Sequence, residues 1–401
     1  MPVVVFVLAA AVFAQGTSEF MVSGLLEKIA VDVGVSLGTA GLLTSLFAVG
    51  MVLGAPVMAV AAGRLPVRYS VTAFLGLFCV AHVIGAAATG FALLLVTRGV
   101  AAVANAGFLA VALAALPTMV GPKLIGRATS VVVSGVTVAC IAGVPAGTLL
   151  GQAGGWRSAF WAVAVLSAAA LVPMWVMLGR DVREGDAPDQ QPPSMRYEWS
   201  VLRHPQVLTA IAAGVLVNAA TFAGFTYLGT ITTGIAEGGQ WVPVVLALFG
   251  VGSFLGVTVA GRYNDHHRQI IVAGTVVLVG VWLVAAVTTH SLIWVMVMSV
   301  AAGAVAFGVG STLIATIVQT ATPIAPRIAG ALATTALNIG AIVGPATAGL
   351  LVDNTGHPAT ALWCSAAFTT AAVGVAVIGQ YWRGTSPVEQ VRADARWRRR
   401  H

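Results

Sequence analysis

Glu19 is the residue whose position most needs a chemical explanation. It stands in the stretch AVFAQGTSEFMVSGLL, residues 11–26, where every neighbour is apolar, small or uncharged. An ionisable side chain in a nonpolar segment is costly unless it faces a cavity or a partner, and it is then usually functional. We therefore predict that Glu19 binds and releases protons. The alternative is a structural carboxylate that is hydrogen-bonded to a neighbouring helix.

Arg98 is a second ionisable residue inside an apolar stretch, LLLVTRGVAAVANAGF. The same physical argument makes it a functional candidate, with a charge opposite to that of Glu19. Asn105 follows seven residues later, on the same face of a helix, and is expected to point into the same cavity. The alternative is an arginine that snorkels to the nearer membrane interface.

His82 is the one histidine near the middle of an apolar stretch, and a histidine can change its charge near neutral pH. We nevertheless expect it to be a core histidine that is satisfied by a neighbouring hydroxyl group. The three cysteines also lie in apolar stretches, and their spacing predicts neither a disulfide nor a metal site.

The elements that must position these residues are predicted to be membrane-spanning helices. The chain has 401 residues, of which 58% are hydrophobic and 8% are charged. Apolar runs of about 20 residues, long enough to cross a bilayer as helices, recur along it. The strict alternation typical of an outer-membrane barrel is absent from these runs. Twelve spans are predicted, at 3–26, 39–62, 69–90, 92–116, 127–150, 157–178, 206–228, 241–261, 269–288, 291–318, 328–352 and 358–381.

The basic residues predict how these spans are oriented. Seventeen lysines and arginines lie in the loops and tail on the side of the termini, against two on the other side, Lys28 and Arg157. The positive-inside rule then predicts that both termini are cytoplasmic. The same rule explains the net charge of +7 without a nucleic-acid partner. The first span lacks the basic residues that begin a signal peptide, so we expect it to be retained.

The spans divide six and six around one polar linker. Residues 179–205 form this linker, residues 1–178 and 206–381 form two predicted six-helix bundles, and residues 382–401 form a basic tail. We expect the tail to lie near anionic lipid headgroups or to be simply solvated. The bundles resemble each other faintly: Arg127 precedes Pro145 by 18 residues, and Arg327 precedes Pro345 by the same interval.

Glycine recurs in corresponding spans of the two bundles. The fifth span has glycines at 135, 143, 147 and 151 around Pro145, and the eleventh has glycines at 340, 344 and 349 around Pro345. Small residues at such spacing let helices approach closely, and proline removes a backbone hydrogen bond. The pattern predicts two paired helices that pack tightly and take part in gating, with Gly143, Pro145, Gly147, Gly344 and Pro345 at their centres.

Six stretches along the chain together resemble the major facilitator superfamily. They are AVFAQGTSEFMVSGL, AGLLTSLFAVGMVLGAPVMA, VANAGFLAVAL, SGVTVACIAGVPAGTLLGQAGGWRSAFW, FGVGSTLI and ATTALNIGAIVGP. Within this superfamily the chain looks like a twelve-span drug:proton antiporter, and most like the chloramphenicol-efflux proteins of actinobacteria. The resemblance implies an all-α fold of two pseudo-symmetric six-helix bundles, and Arg98 matches the family's arginine that is linked to proton relay.

The family also has a charged motif after the second span, G-x-x-x-D-R-x-G-R-R. Here Arg64 and Arg68 are kept, but Gly63 occupies the acidic position. The second half retains Asp265 together with Arg262. By resemblance, these charges are expected to close the cytoplasmic side, with more weight on the second copy.

The resemblance implies that spans 1, 4, 7 and 10 line the substrate cavity. Polar and aromatic residues there, together with one on span 11, are the candidates for substrate binding: Asn105, Phe108, Asn218, Phe222, Tyr227, Gln319 and Asn338. A mainly apolar pocket with few hydrogen-bonding groups suits an amphiphilic drug. Packing and helix-to-helix hydrogen bonding are the alternative roles of these side chains.

The function expected from the sequence is proton-driven efflux of chloramphenicol or a similar drug across the cytoplasmic membrane. It needs no cofactor besides the proton gradient, and a monomer is expected. Export of sugars or another metabolite on the same fold is the nearer alternative. An enzyme, a channel and an ATP-driven pump are disfavoured, because metal-binding, nucleophile and Walker motifs are missing from the sequence and a buried acid suits alternating access.

Overall fold

The computed structural model describes residues 1–62, 66–120, 124–178, 199–236, 239–263, 267–325 and 328–381. Twelve of its helices are long and apolar enough to cross a membrane. The first six are α1 Val3–Val33, α2 Leu37–Ala62, α3 Val67–Ala86, α4 Phe91–Met119, α5, which runs through Ile125–Val138, Ala139–Gly143 and Val144–Gly154, and α6 Trp156–Met177. The last six are α7 Pro205–Ile235, α8 Val242–Arg262, α9 His267–Val287, α10 Leu292–Ala321, α11 Ala329–Thr355 and α12 Thr360–Tyr381.

The predicted number and order of spans are confirmed, but the predicted end of the first span is wrong. The first span was expected to end at residue 26, which would place Glu19 about 7 Å outside the midpoint of the span at a rise of 1.5 Å per residue. In the structure α1 continues through a polar last turn to Val33 and ends at Gly34, which has a φ of 68°. A helix can keep its backbone hydrogen bonds beyond the hydrocarbon layer, so it can be longer than the apolar run. Because α1 extends from Val3 to Val33, Glu19 lies near its middle.

The same helix pairs meet in the first half, α1–α6, and in the second half, α7–α12. Within the first half α1 packs on α5 and α2 on α4; within the second half α7 packs on α11 and α8 on α10. This correspondence confirms the fold of two pseudo-symmetric six-helix bundles. The exact limits of the bundles stay a prediction, because most of the linker and the whole tail lie outside the described residues.

Glycines allow the close approach of these helix pairs. A Cβ atom on Gly143 would overlap the Thr17 hydroxyl, and Gly147 faces Met21. The two helices α1 and α5 therefore run parallel to each other. In the second half a Cβ on Gly344 would overlap the carbonyl oxygen of Ala219 on α7. The predicted tight packing of the two glycine helices is therefore confirmed, while their role in gating stays a prediction.

The middle of α5 departs from a regular α-helix. Residues Ala139–Gly143 form a π-helical turn directly before the segment that carries Pro145. Proline has no N–H to donate to the residue four positions earlier, so the regular ladder is interrupted there. Such turns are frequent at functional sites. The carbonyl of Cys140 in this turn lies against Gly250 of α8, in the other half.

Hydrogen bonds join the two halves over the region between the middle of the spans and one end of the molecule, the end at which the α1–α2 turn lies. We refer to this end, which is predicted to face outward, as the outer end. The Asp353 carboxylate of α11 accepts hydrogen bonds from the Ser36 hydroxyl at 2.6 Å and from the backbone N–H of Gly38 at 2.8 Å. Closer to the middle, the Ser45 hydroxyl of α2 donates to the carbonyl oxygen of Ile342 at 2.9 Å.

Candidate functional site

Glu19 and Arg98 occupy the interior of the first half. Arg98 of α4 is 1% exposed, whereas Glu19 of α1 is half-buried. The two side chains are near enough for their charges to interact. An opposite charge lowers the cost of keeping an ionised group inside a membrane protein. The structure therefore brings together the two ionisable residues that the sequence singled out.

Ser18 holds the Arg98 guanidinium in place. Nη1 of Arg98 donates to the Ser18 hydroxyl oxygen at 2.8 Å and to the Ser18 carbonyl oxygen at 3.1 Å. The guanidinium carbon also lies 4.3 Å from the centroid of the Phe47 ring. Arg98 thus points to the middle of α1 and does not snorkel to an interface. Its Nε and Nη2 atoms are buried and have no hydrogen-bond partner among the described residues.

His82 of α3 completes this cluster. Its Nε2 atom lies 2.6 Å from the Ser18 hydroxyl oxygen, and its Nδ1 atom lies 2.7 Å from the carbonyl oxygen of Phe78. The ring is 1% exposed and packs beside the rings of Phe78 and Phe160. The expectation of a core histidine satisfied by a hydroxyl group is confirmed. The sequence offered no sign that the same hydroxyl would also bind Arg98.

The predicted substrate residues of the first half have different surroundings. Asn105 is buried on α4, at 5% exposure. Phe108 is fully buried in the apolar core of the first half, with Leu8 and Val111 among its neighbours in that core. In this arrangement Phe108 is a packing residue, because no part of its ring reaches a surface.

The predicted substrate residues of the second half also differ in their surroundings. Asn218 is half-buried and donates from Nδ2 to the carbonyl oxygen of Leu337 at 2.6 Å, joining α7 to α11. The Tyr227 hydroxyl donates to the carbonyl oxygen of Pro345 at 3.2 Å and lies against Gly41 of the first half. Tyr227 therefore belongs to the contact between the halves in this arrangement.

Two further candidates lie nearer to solvent. Gln319 is exposed, two residues before the end of α10. Asn338 is half-buried and donates from Nδ2 to the carbonyl oxygen of Thr334, on its own helix, at 3.0 Å. The structure does not bring these two amides to the Glu19–Arg98 pair.

Aromatic rings connect the neighbourhood of Glu19 to the second half. Phe222 of α7 stacks on Phe20 with 5.8 Å between ring centroids, and Phe225 meets Phe20 edge-to-face at 5.9 Å. Phe225 in turn lies 4.8 Å from Phe249 of α8. Of the predicted substrate residues, Phe222 is thus the one placed beside the residue that follows Glu19. Phe20 was missed, because phenylalanine in a span is usually a packing residue.

Gln15 is another polar residue that the sequence reasoning missed. It lies one helical turn before Glu19, is 1% exposed, and neither its amide oxygen nor its amide nitrogen has a partner among the described residues. A buried polar group without a hydrogen bond costs about 1–3 kcal/mol. Its position four residues before Glu19 was the signal in the sequence that could have identified it, since residues four apart share a face of a helix.

The predicted charged gate is described only in part. Arg64 and Asp265 lie outside the described residues. Arg68 is 9% exposed and its guanidinium carbon lies 3.9 Å from the centroid of the Trp175 ring, in the same half. Arg262 is exposed in the last turn of α8. The closing role of these charges stays a prediction.

Comparison with known proteins shows the family to which the chain belongs. The family model described as "Major Facilitator Superfamily" matches residues 8–335. The chain belongs to the Major Facilitator Superfamily. Its membership places the protein among membrane transporters of small molecules rather than among enzymes.

Particular members of the superfamily are similar along nearly the whole chain. A chloramphenicol resistance protein of Streptomyces lividans is 45% identical over 381 residues, which cover 94% of this chain and 96% of that protein. The inner membrane transport protein YdhP of Escherichia coli (strain K12) is 29% identical over 348 residues, covering 86% of this chain and 88% of the relative.

A solved structure supports the same fold. It is the crystal structure of a bacterial homologue of the human lysosomal transporter Spinster, and it matches with a TM-score of 0.74 and 17% sequence identity. The match covers 94% of this chain and 95% of the other. At this identity the likeness concerns the superfamily fold alone.

Proposed function

We propose that this superfamily member exports chloramphenicol or a similar amphiphilic drug across the cytoplasmic membrane in exchange for protons, and so confers resistance. The observation that carries the proposal is the 45% identity to a chloramphenicol resistance protein along 94% of the chain. The proton gradient is the proposed energy source, with no cofactor. The proposed exporter acts as a monomer with both termini in the cytoplasm.

Glu19 is the proposed proton carrier and Arg98 its charge partner. A carboxylate in the interior is tolerable while the Arg98 guanidinium compensates its charge, and a protonated carboxyl group releases Arg98 from that role. Glu19 is half-buried, so a change in how the halves meet alters its access to water. Proton and drug then compete for the same state of the carrier, which couples their movements.

Alternating access is the proposed mode of transport. The hydrogen bonds of Asp353 and Ser45 join the halves at and near the outer end. In the predicted topology, seventeen of the basic residues belong to the opposite side, which the positive-inside rule assigns to the cytoplasm. With the proposed orientation, these hydrogen bonds support a carrier that is closed toward the outside. Rocking of the halves about the Phe20–Phe222 contact would open the outer end.

Uptake into inside-out membrane vesicles tests the proposal. Labelled chloramphenicol is followed with and without an imposed gradient that makes the vesicle interior acidic. The wild type is expected to accumulate drug only with the gradient, and Glu19→Gln to lose about tenfold or more of this uptake, since an amide cannot carry the proton. Glu27→Gln is the matched control, because Glu27 is exposed near the end of the same helix.

The outcomes separate the parts of the proposal. Gradient-driven uptake by Glu19→Gln at the wild-type rate would refute the role of Glu19. Absence of uptake by the wild type would refute chloramphenicol as a substrate and favour export of sugars or another metabolite, which the same vesicles can test with labelled compounds.

A further inference from the structure

We propose that Ser18 and His82 are positioning residues, which hold the Arg98 guanidinium where it can compensate the charge of the ionised Glu19 carboxylate. The inference rests on the proposed proton coupling and deepens it. Arg98 binds Ser18 through one nitrogen, His82 binds the same hydroxyl, and the remaining nitrogens of Arg98 have no hydrogen-bond partner among the described residues.

The geometry determines where the hydrogens of this cluster lie. The carbonyl oxygen of Phe78 can only accept a hydrogen bond, so Nδ1 of His82 carries the proton at that 2.7 Å contact. Arg98 can only donate, so the Ser18 oxygen accepts from Nη1 and its own hydrogen is free to point to Nε2 of His82. The result is a directed chain from Arg98 through Ser18 to His82.

This chain orients the Ser18 lone pairs toward Arg98. A hydroxyl that donates to His82 cannot rotate its hydrogen toward the guanidinium, so the Ser18 oxygen stays an acceptor for Nη1. Hydrogen bonds in a chain also polarise one another, which strengthens the contact to the charged group. His82 thus acts on Arg98 through Ser18, without touching the guanidinium itself.

The anchor uses only part of the guanidinium. Nη1 is bound to Ser18, whereas Nε and Nη2 are buried and have no hydrogen-bond partner in the described part of the chain. An arginine presents five N–H donors in a fixed fork, so holding one nitrogen sets the direction of the others. The unpaired N–H groups are the ones available to the Glu19 carboxylate when it is ionised.

The anchor can also persist while the carrier changes shape. Ser18, His82 and Arg98 come from α1, α3 and α4, which all belong to the first half. Among the described residues, the titratable groups that interact with Arg98 are Glu19 on α1 and His82 itself, and Glu19 also interacts with Cys140 on α5; Phe160, the contact of His82 on α6, is uncharged. Movement between the halves therefore leaves the anchor intact and changes only the surroundings of Glu19.

The first test compares two transport modes in the vesicles used above. Gradient-driven uptake of labelled chloramphenicol needs proton exchange, whereas exchange of labelled for unlabelled drug without a gradient does not. Ser18→Ala is expected to lower gradient-driven uptake roughly tenfold, since hydrogen bonds to charged groups are worth about that factor. Drug exchange is expected to stay within about twofold of the wild type, and Ser18→Thr, which keeps the hydroxyl, to retain both modes.

The matched control is Ser167→Ala. Ser167 is fully buried in the same half, but its hydroxyl donates only to the carbonyl oxygen of Val163 on its own helix. It is expected to leave both transport modes near the wild-type level. Parallel loss of both modes in Ser18→Ala would indicate a merely structural serine and overturn the proposal, as would unchanged gradient-driven uptake.

The second test does not depend on the substrate. Nitrogen-15 NMR of histidine-labelled protein reports which ring nitrogen carries the proton, and His82→Gln identifies the signal among the seven histidines. The wild type is expected to show the Nδ1–H tautomer, and Ser18→Ala to shift the Nε2 resonance. A wild-type signal from the Nε2–H tautomer would refute the directed chain, even if chloramphenicol proves not to be the substrate.

Discussion

Arg98 shows how a single side chain can be both charged and interior in a membrane protein. Its guanidinium contacts the Ser18 carbonyl and hydroxyl groups and the face of Phe47, and Glu19 supplies the opposite charge. Each contact replaces part of the hydration that the group gives up. Because Nε and Nη2 find no hydrogen-bond partner among the residues that the structure describes, the site is polar but incompletely satisfied. Such a site can respond to a proton or to a ligand.

At this scale, Arg98→Lys is expected to reduce gradient-driven drug uptake about tenfold or more. Lysine keeps the positive charge but lacks the planar guanidinium, which lies over Phe47 while its Nη1 binds both Ser18 oxygens. The measurement is the initial rate of labelled chloramphenicol uptake in vesicles. Arg127→Lys is the control, because Arg127 is exposed at the start of α5. Wild-type uptake by Arg98→Lys would mean that charge alone suffices.

At the scale of elements, α5 and α11 are the helices whose packing is most demanding. Each lies so close to its partner that a single methyl group on a central glycine would overlap the neighbouring helix. Helices in lipid gain little from apolar burial against each other, so close van der Waals contact through small residues carries much of their association. The π-helical turn in α5 lies at the same level, against α8 of the other half.

Gly143→Ala is therefore expected to destabilise the protein, by roughly 1–3 kcal/mol, the usual cost of overpacking. The added methyl group would overlap Thr17, which is held by a hydrogen bond of 2.8 Å to the carbonyl oxygen of Phe13. Thermal unfolding in detergent measures the effect. Gly76→Ala, on α3, is the control, since nothing lies within 4 Å of the added atom. Equal stability of the two variants would contradict the packing argument.

At the scale of the whole molecule, Asp353 connects the halves by capping a helix across their boundary. Its carboxylate accepts the backbone N–H of Gly38 in the first turn of α2, where the helix dipole favours a negative charge. It also accepts the Ser36 hydroxyl, so one side chain of α11 joins both the turn and the helix that follows it. These bonds must break if the outer end opens during transport.

Asp353→Ala is expected to raise the ratio of outward-open to closed molecules about tenfold, because hydrogen bonds to a charged group are lost only in the closed state. Spin labels on the exposed residues Val31 and Trp241, with the native cysteines replaced, report the distance between halves at this end. The ratio of long to short distances is the measured quantity.

Asp32→Asn is the control for that measurement. Asp32 also lies at the outer end, but its carboxylate pairs with Arg157 and accepts from Nε1 of Trp156, both in the same half. Its replacement is expected to leave the distribution of distances unchanged. A shift of the same size in both variants would mean that loss of negative charge, rather than loss of the bridge, opens the outer end.

Much of the fold and part of the site followed from the sequence alone. Hydropathy determines the twelve spans, because a segment of about 20 apolar residues in lipid has no alternative to the helix. The same principle singled out Glu19 and Arg98, since charged groups at this depth must face the protein interior. The glycine spacing of α5 and α11 predicted close approach, because it depends only on helical periodicity and the absence of a side chain.

Only the tertiary structure decided which of these residues meet. Ser18 and His82 are 64 positions apart, and neither stands out in the sequence of its own span. In the structure the Ser18 hydroxyl contacts both His82 and Arg98. The sequence predicted Phe108 and Tyr227 as cavity residues. In the structure Phe108 lies in the apolar core of the first half, and Tyr227 lies in the contact between the halves. The physical reason is that membrane spans are apolar on all sides, so their pattern does not encode rotation about the helix axis. That rotation is set by packing between helices distant in sequence.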